Sequence, residues 1–138
     1  MRVAILDTNV YIGHWERALY QDRWDDLHRA YIVRQSAVVL SELRRGARTR
    51  AARSLVEGLR RAAAAVWEPT ASDWWQAGRV VQQLGDAKGW DRGKRRDFQN
   101  DALIAFTARR RGATVVTADR RDFELLERFV RVSVLSLA

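Results

Sequence analysis

Apolar residues follow two different spacings along the chain. Short runs of aliphatic and β-branched residues, bounded by polar or turn-forming positions, predict buried strands. These strands lie at residues 3–6, 31–33, 66–67, 114–117 and 130–135. Longer segments carry apolar residues three and four positions apart, which is the spacing of an amphipathic helix. These helices begin near residue 10 and then cover residues 22–29, 36–46, 50–64, 72–84, 97–111 and 122–128.

The order of these elements indicates the fold class. Strands alternate with helices along most of the chain, and this alternation is typical of α/β proteins. Parallel strands need crossover connections, which the helices supply. We therefore expect a central, mostly parallel β-sheet flanked by helices on both faces.

The length and composition limit what the chain can be. With 138 residues and 47% hydrophobic residues, it has the size and the core of one ordinary domain, expected to span residues 1–138. The absence of cysteine excludes disulfides and thiolate metal sites. The apolar start is too short for a signal peptide, and no stretch approaches the ~20 apolar residues of a membrane helix. We expect a cytoplasmic protein without a membrane partner.

The charge balance adds a candidate partner. The formal net charge is +8, and nearly all of the 25 basic residues are arginine. The planar guanidinium group suits phosphate, so RNA or DNA is one interpretation of this excess. An arginine-favouring genome with well-solvated helix faces explains the same composition. Charge alone does not decide between the two.

A basic segment between two predicted helices is the first candidate for nucleic-acid contact. Glycines punctuate residues 85–96, which predicts a loop. Trp90 is available there to stack on a base. The basic side chains that would guide an RNA backbone are Arg92, Lys94, Arg95 and Arg96. The alternative interpretation is a mobile, solvated loop.

Four acidic residues differ in setting from the other carboxylates of the chain. Asp7 ends the first predicted strand, and Asp119 lies two residues after the strand that ends at Thr117. Ligands of open parallel sheets bind beyond the carboxyl ends of the strands, so both belong at that edge. Glu42 and Asp101 lie in strongly apolar helical segments, from which they can reach the same place.

Packing four carboxylates together is unfavourable without a cation. Two like charges 4 Å apart repel by about 4 kcal/mol at an effective dielectric constant of 20. Mg²⁺ and Mn²⁺ prefer oxygen ligands, and such a site can activate water for attack on phosphorus. Taken singly, each acid is explained as well by a helix cap or a surface charge. The prediction therefore rests on the four acids together.

In these residues the chain resembles the PIN-domain nucleases, especially the VapC-type toxins of type II toxin–antitoxin systems. The similarity extends from about Val3 to Val134. It is carried, in order, by Asp7-Thr8-Asn9, by Ser41-Glu42-Leu43, by Asn100-Asp101-Ala102-Leu103-Ile104-Ala105 and by Thr117-Ala118-Asp119-Arg120-Arg121-Asp122-Phe123. The resemblance implies a PIN-like fold, metal-dependent endonucleolytic cleavage of RNA, homodimerisation and neutralisation by a small antitoxin.

The resemblance also implies roles for individual residues. The catalytic, metal-binding quartet would be Asp7, Glu42, Asp101 and Asp119, binding Mg²⁺ or Mn²⁺. Hydrogen bonds from neighbouring residues would orient two of these ligands, Asp7 and Asp119. The residues that would supply them are Thr8 or Asn9, and Thr117.

Two further acids have no settled role. Asp122 is either part of the site or the cap of a short helix. Asp97 lies one helical turn before Asp101 and is either a fifth acid near the pocket or, as we prefer, a partner of the helix dipole in the first turn.

Other functions remain possible on the sequence alone. His14 and His28 lack zinc-ligand spacing, and no phosphate-binding glycine loop precedes a Lys-Ser or Lys-Thr pair. A non-catalytic PIN-like module that binds nucleic acid without cutting it is the main alternative. A metal-dependent phosphatase is a third, because Asp7-x-Asn9 faintly resembles an aspartyl nucleophile motif. A covalent phosphate on Asp7 would distinguish it.

Overall fold

The computed structural model describes residues 2–137 and contains a parallel α/β fold; Met1 and Ala138, the ends of the predicted domain, lie outside the described residues. The strands of the described part are β1 Arg2–Leu6, β2 Tyr31–Val33, β3 Gln35–Ser36, β4 Val66–Trp67, β5 Thr114–Thr117 and β6 Ser133–Ser136. Four of them form one sheet in the order β2-β1-β5-β6, and every pairing in it is parallel. The predicted fold class is confirmed.

Helices cover both faces of this sheet. They are α1 Thr8–Arg17, α2 Gln21–Ala30, α3 Ala37–Gly46, α4 Arg50–Ala62, α5 Ala71–Lys88, α6 Arg92–Arg111 and α7 Arg120–Leu126. Side-chain oxygens cap many of their first turns, as the sequence suggests for Ser36 before α3. None of the helices within residues 2–137 has the length and apolar character that crossing a membrane requires.

The sheet register brings the ends of two distant strands together. Strands β1 and β5 are adjacent, and Leu6 pairs with Val116 at the last position of the ladder. The backbone N–H of Asp7 then donates to the Val116 carbonyl at 2.8 Å. Asp7 and Thr117 are therefore neighbours at the carboxyl edge of the sheet, although 110 residues separate them in the chain.

Helix α6 passes through the centre of the hydrophobic core. Its residues 102–108 are all buried, and Phe98, Leu103 and Ile104 have no exposed surface or almost none. They pack with Ile5 and Val115 of the sheet in one continuous apolar cluster. Burial of a helix on this scale fixes its position, so the polar residues that it carries, Asp101 among them, are held rigidly.

The predicted basic loop at residues 85–96 is wrong. Helix α5 continues to Lys88 and ends at Gly89, which adopts a left-handed φ of 66°. Helix α6 begins only three residues later, because Asp91 accepts a hydrogen bond from the backbone N–H of Lys94 at 2.8 Å. The basic residues therefore lie on the first two turns of a helix. The alternative of a mobile, solvated loop is excluded with it.

Smaller differences concern element boundaries. Thr70, and not Ser72, caps α5, and it does so in a reciprocal capping box with Asp73. Helix α7 begins at Arg120, two residues earlier than predicted, and the last strand begins at Ser133. The strand β3 was not predicted; it pairs with β4 in a separate two-stranded parallel sheet.

Candidate metal centre

Two carboxylates lie at the carboxyl edge of the sheet because each caps a helix that follows a strand. Asp7 separates β1 from α1, and its side chain accepts a hydrogen bond from the N–H of Thr8 at 2.8 Å. Asp119 occupies the same position between β5 and α7 and caps α7. The repeated strand–acid–helix arrangement on adjacent strands points both carboxylates to one place.

Thr117 joins these two acids. Its hydroxyl group donates to Oδ2 of Asp7 at 2.8 Å and accepts from the backbone N–H of Asp119 at 2.9 Å. Both carboxylate oxygens of Asp7 are thus hydrogen-bonded, and the residue is only 3% exposed. Thr117 itself is fully buried. An orienting role of Thr117 toward Asp7 and Asp119 stays a prediction.

Two further acids, one on α6 and one on α7, lie close to Asp119. Oxygen atoms of Asp101, Asp119 and Asp122 lie within 4.8 Å of one another, which makes these three the candidate metal-binding triad of the described chain. Asp122 is buried and lies in the first turn of α7, where its N–H donates to Oδ1 of Asp119 at 3.2 Å. The interpretation of Asp122 as the cap of this helix is therefore wrong. The Asp-x-x-Asp spacing was the signal that could have placed it in the site.

Glu42 reaches the same region from α3 and is held by two side chains. The hydroxyl of Thr8 donates to Oε1 of Glu42 at 2.9 Å, and Nδ2 of Asn100 donates to Oε2 at 3.4 Å. Thr8 was expected to orient Asp7 or Asp119 through its side chain, but only its backbone contacts Asp7. No role was predicted for Asn100, and its position beside Asp101 was the available signal.

Asn9 acts on the backbone near Asp119. Its Oδ1 accepts a hydrogen bond from the N–H of Ala118 at 3.0 Å. The predicted amide contact to a carboxylate is replaced by a contact that ties the connection after β5 to the first turn of α1. The position of Asp119 thus depends on Asn9 through one peptide unit.

Burial and mutual repulsion raise the pKa values of three acids. Burial raises the pKa of Asp7 from its ordinary 3.8 to about 6, although hydrogen bonds from Thr117 and Thr8 oppose the shift and the charges of Glu42 and Asp119 add to it. Burial also raises the pKa of Asp101 well above its usual value, and the charges of Asp7, Asp122, Glu42 and Asp119 raise it further. The pKa of Asp119 rises in the same direction, again mainly through burial.

These shifts indicate what the cluster can bind. The four predicted acids and Asp122 act on one another electrostatically, and their ionised forms are unfavourable together. All their ligand atoms are carboxylate oxygens, which are the ligands that Mg²⁺ and Mn²⁺ prefer. The residues present fit a hard divalent cation among these carboxylates, although Asp122 already accepts a hydrogen bond from Nζ of Lys94 at 2.7 Å.

Asp97 and the residues predicted to contact RNA lie in the first two turns of α6 or just before it. Asp97 is exposed and contacts Arg96 at 3.7 Å; it lies in the second turn of α6, so the preferred first-turn dipole role is wrong. Trp90 packs against Phe98 with ring centroids 4.8 Å apart. Arg95 donates to Asp86 and to the Trp90 carbonyl, whereas Arg92 and Arg96 are exposed. RNA contact by these residues stays a prediction.

Replacing Thr117 with valine tests the link between Asp7 and Asp119. The change leaves Oδ2 of Asp7 without a donor and the Asp119 N–H without an acceptor. We expect a loss of about 1–3 kcal/mol in the free energy of unfolding. We also expect about a 10- to 100-fold weaker affinity for Mn²⁺, measured by calorimetry. Thr114→Val is the matched control, since the Thr114 hydroxyl donates to the hydroxyl of the exposed Ser133 at 3.3 Å and to no acid of the site among residues 2–137. Equal effects of the two substitutions would contradict the prediction.

Comparison with known proteins adds a family and a set of structural neighbours. Residues 4–128 match the family model described as the PIN domain. A chain of VapBC2 from Rickettsia felis, solved bound to a DNA fragment from its promoter, has a TM-score of 0.69 and 20% identity over 99% of both chains. DNA-bound VapBC from Salmonella typhimurium gives 0.67 and 22% over the whole of both chains.

A third neighbour, VapBC-5 from Mycobacterium tuberculosis, is described as a member of the VapBC family of toxin–antitoxin systems. It has a TM-score of 0.60 and 25% identity over 99% of this chain and 100% of its own. No curated protein sequence matches the chain. The structural similarity covers the complete length of these neighbours, so it concerns the whole fold and not a fragment of it.

Proposed function

The chain belongs to the PIN-domain family, and from this premise we propose that it is a metal-dependent endoribonuclease and the VapC-type toxin of a toxin–antitoxin pair. The observation that carries the proposal is the partly buried acid cluster at the carboxyl edge of the sheet. Its pKa values are raised, and strongly perturbed groups in one cluster are typical of functional sites. A structural role would not require several carboxylates to be gathered where their charges repel one another.

Mg²⁺ or Mn²⁺ is the proposed cofactor. Asp101 and Asp119 would hold it, Asp7 and Glu42 would complete or share the site, and a bound divalent ion would activate water and neutralise charge on the phosphate oxygens. The protein fixes these carboxylates in advance: Thr117 orients Asp7, while Thr8 and Asn100 orient Glu42. Their hydrogen bonds reduce the reorganisation that substrate binding would otherwise require.

RNA is the proposed substrate. The net charge of +8 favours a polyanionic partner. Arg92 and Arg96 are exposed at the start of the same helix that carries Asp101. At 1.5 Å per residue, Arg92 lies about 14 Å from Asp101 along the helix axis, a distance that a strand of a few nucleotides spans. At 3.6 residues per turn, Arg92 lies on the face of α6 opposite Asp101, so the two arginines would attract the RNA backbone to this end of the helix and not contact it beside the acids.

A small antitoxin and a second copy of the chain are the proposed protein partners. The structural neighbours include a member of a toxin–antitoxin family, and the resemblance of this chain to VapC-type toxins extends over the same length. We expect the antitoxin to be encoded beside this chain and the toxin to act on RNA in the cytoplasm. Co-purification of a small protein from the native operon would support this part of the proposal.

A cleavage assay on total RNA tests the enzymatic proposal. Purified protein, freed of any antitoxin, is incubated with Mg²⁺, with Mn²⁺ or with EDTA, and the products are mapped by sequencing of their new ends. We expect discrete, metal-dependent cuts. If folded protein binds RNA equally well in EDTA and never shortens it, the chain is a binding module and not a nuclease.

A further inference from the structure

One of the two lysines of the chain lies against the acid cluster. Nζ of Lys94 is 2.7 Å from Oδ2 of Asp122, the distance of a strong, charge-assisted hydrogen bond. The side chain of Asp122 is 10% exposed, and Asp122 belongs to the triad with Asp101 and Asp119. Lys88, the other lysine, is exposed in the last turn of α5. Of the two lysines, Lys94 is therefore the one that contacts the acid cluster.

The fold holds the Lys94 ammonium group in place from several sides. The Nζ atom lies 5.2 Å from the centre of the Trp90 ring and 5.6 Å from that of Phe98, both within the range of cation–π attraction. The two rings pack against each other, and Phe98 is fully buried. Asp91 fixes the backbone of Lys94 by accepting its N–H. These contacts restrain the ammonium group although the Lys94 side chain is 36% exposed.

The charge of Lys94 acts on the triad and not only on Asp122. It lowers the pKa of Asp119, although burial and Asp122 raise that pKa on balance. In sites with two metal ions, the ions lie about 3.5–4 Å apart and share carboxylates. A fixed ammonium group bonded to one of three close carboxylates occupies the coordination space of a second ion and repels it.

We propose that Lys94 takes the place of a second divalent cation, so that the acid cluster binds one ion per chain. The ion would be held from the side of Asp101 and Asp119, while the ammonium group keeps Asp122 neutralised and unavailable as a free ligand. The inference relies on the proposed function only in assuming that the cluster binds a divalent ion. It assigns Lys94 to the metal centre, whereas sequence analysis assigned it to RNA contact.

Titration with Mn²⁺ in the absence of RNA tests this assignment. Isothermal titration calorimetry and electron paramagnetic resonance are applied to the wild type, Lys94→Met, Lys94→Arg and the matched control Lys88→Met. We expect one ion and an uncoupled Mn²⁺ spectrum for the wild type, Lys94→Arg and Lys88→Met. We expect two ions with a spin-coupled spectrum for Lys94→Met, which is purified with Mn²⁺ present because it leaves Asp122 buried without its ammonium partner.

Several outcomes would overturn the inference. Two ions bound by the wild type, or none, contradict it without any variant. One ion in Lys94→Met, with the affinity of the wild type and weaker RNA binding, would return Lys94 to the role of a phosphate contact. These titrations do not depend on cleavage. If they give the expected numbers and the wild type cuts no RNA, the nuclease proposal fails and the role of Lys94 stands.

Discussion

Replacement of Asp101 with asparagine is expected to slow RNA cleavage by about a thousandfold or more, and at the same time to raise the thermal stability of the metal-free protein. The loss follows because Asp101 belongs to the triad and a neutral amide is a weak ligand for a hard cation. Metal ions contribute several kcal/mol to phosphoryl chemistry, and about 4 kcal/mol corresponds to three orders of magnitude in rate.

The same substitution should stabilise the metal-free protein because it removes an unfavourable charge. Burial and four neighbouring acids raise the pKa of Asp101, so its ionised form destabilises the folded protein near neutral pH. The asparagine side chain has nearly the same shape and cannot ionise. In EDTA at pH 7.5, Asp101→Asn should therefore melt at a higher temperature than the wild type. With saturating Mg²⁺ the order should reverse, since only the wild type gains from binding the ion.

Asp97→Asn is the matched control for this prediction. Asp97 is exposed and lies one turn earlier on the same helix. Its replacement removes the same charge as the replacement of Asp101. We expect cleavage within about twofold of the wild type and an unchanged melting temperature, as is usual for surface substitutions. A comparable loss of activity in Asp97→Asn would mean that net charge near α6, and not ligation by Asp101, controls cleavage. It would also revive Asp97 as a fifth acid of the site.

Sequence rules located the acids best where the backbone alone determines position. Asp7 and Asp119 follow adjacent parallel strands, and the carboxyl ends of such strands meet at one edge whatever the side chains do. Glu42 and Asp101 could be singled out only by their apolar surroundings and by the resemblance to PIN-domain nucleases. Their closeness depends on how α3 and α6 pack, which no spacing in the chain encodes.

The segment at residues 85–96 was mispredicted for two reasons, one local and one that depends on a partner distant in the chain. Residues 85–96 looked like a basic loop because glycine and positive charge dominate the segment, yet two helix caps lie only two residues apart, at Gly89 and Asp91. The charge of Lys94 is satisfied by Asp122, 28 residues away. A basic segment looks solvated from its own composition when the acid that neutralises it lies on another helix or strand.

Asp122 and Asn100 show the same limit within the site. Both stood inside the segments that carried the family resemblance, but their roles depend on side-chain contacts across helices. Asp122 joins the triad from α7, and Asn100 reaches Glu42 on α3. A polar residue next to a recognised acid has many possible partners, so its identity as a ligand or a support could be decided only by the fold.

The stability of the metal-free protein should fall as the pH rises from about 4 to 7. The pKa of Asp7 has the ordinary aspartate value of 3.8 in the unfolded chain and is about 6 in the folded protein. Well below pH 3.8 the carboxyl group is protonated in both states and imposes no penalty. Between the two values the unfolded chain releases the proton while the folded protein retains it, which favours unfolding. Above pH 6 the full penalty applies, about 3 kcal/mol from a shift of about two pH units.

The measurement is the free energy of unfolding in urea, with EDTA, for the wild type and Asp7→Asn at several pH values. Other carboxylates also titrate in this range, so the quantity that decides is the difference between the two proteins. Asparagine cannot accept hydrogen bonds from both Thr8 and Thr117, which shifts that difference by a constant that does not vary with pH. Relative to Asp7→Asn, the wild type should lose about 3 kcal/mol between pH 3 and 7.5.

Magnesium should counteract the charge penalty of Asp7. A divalent ion binds only the ionised cluster of the folded protein, so saturating Mg²⁺ should remove the decline in wild-type stability above pH 6 and leave Asp7→Asn much less affected. A wild-type curve parallel to that of Asp7→Asn in EDTA would show that Asp7 titrates normally and that its burial imposes no charge penalty. A decline that persists in Mg²⁺ would show that the acids repel one another but do not bind the ion, which would separate the electrostatics of this cluster from its proposed chemistry.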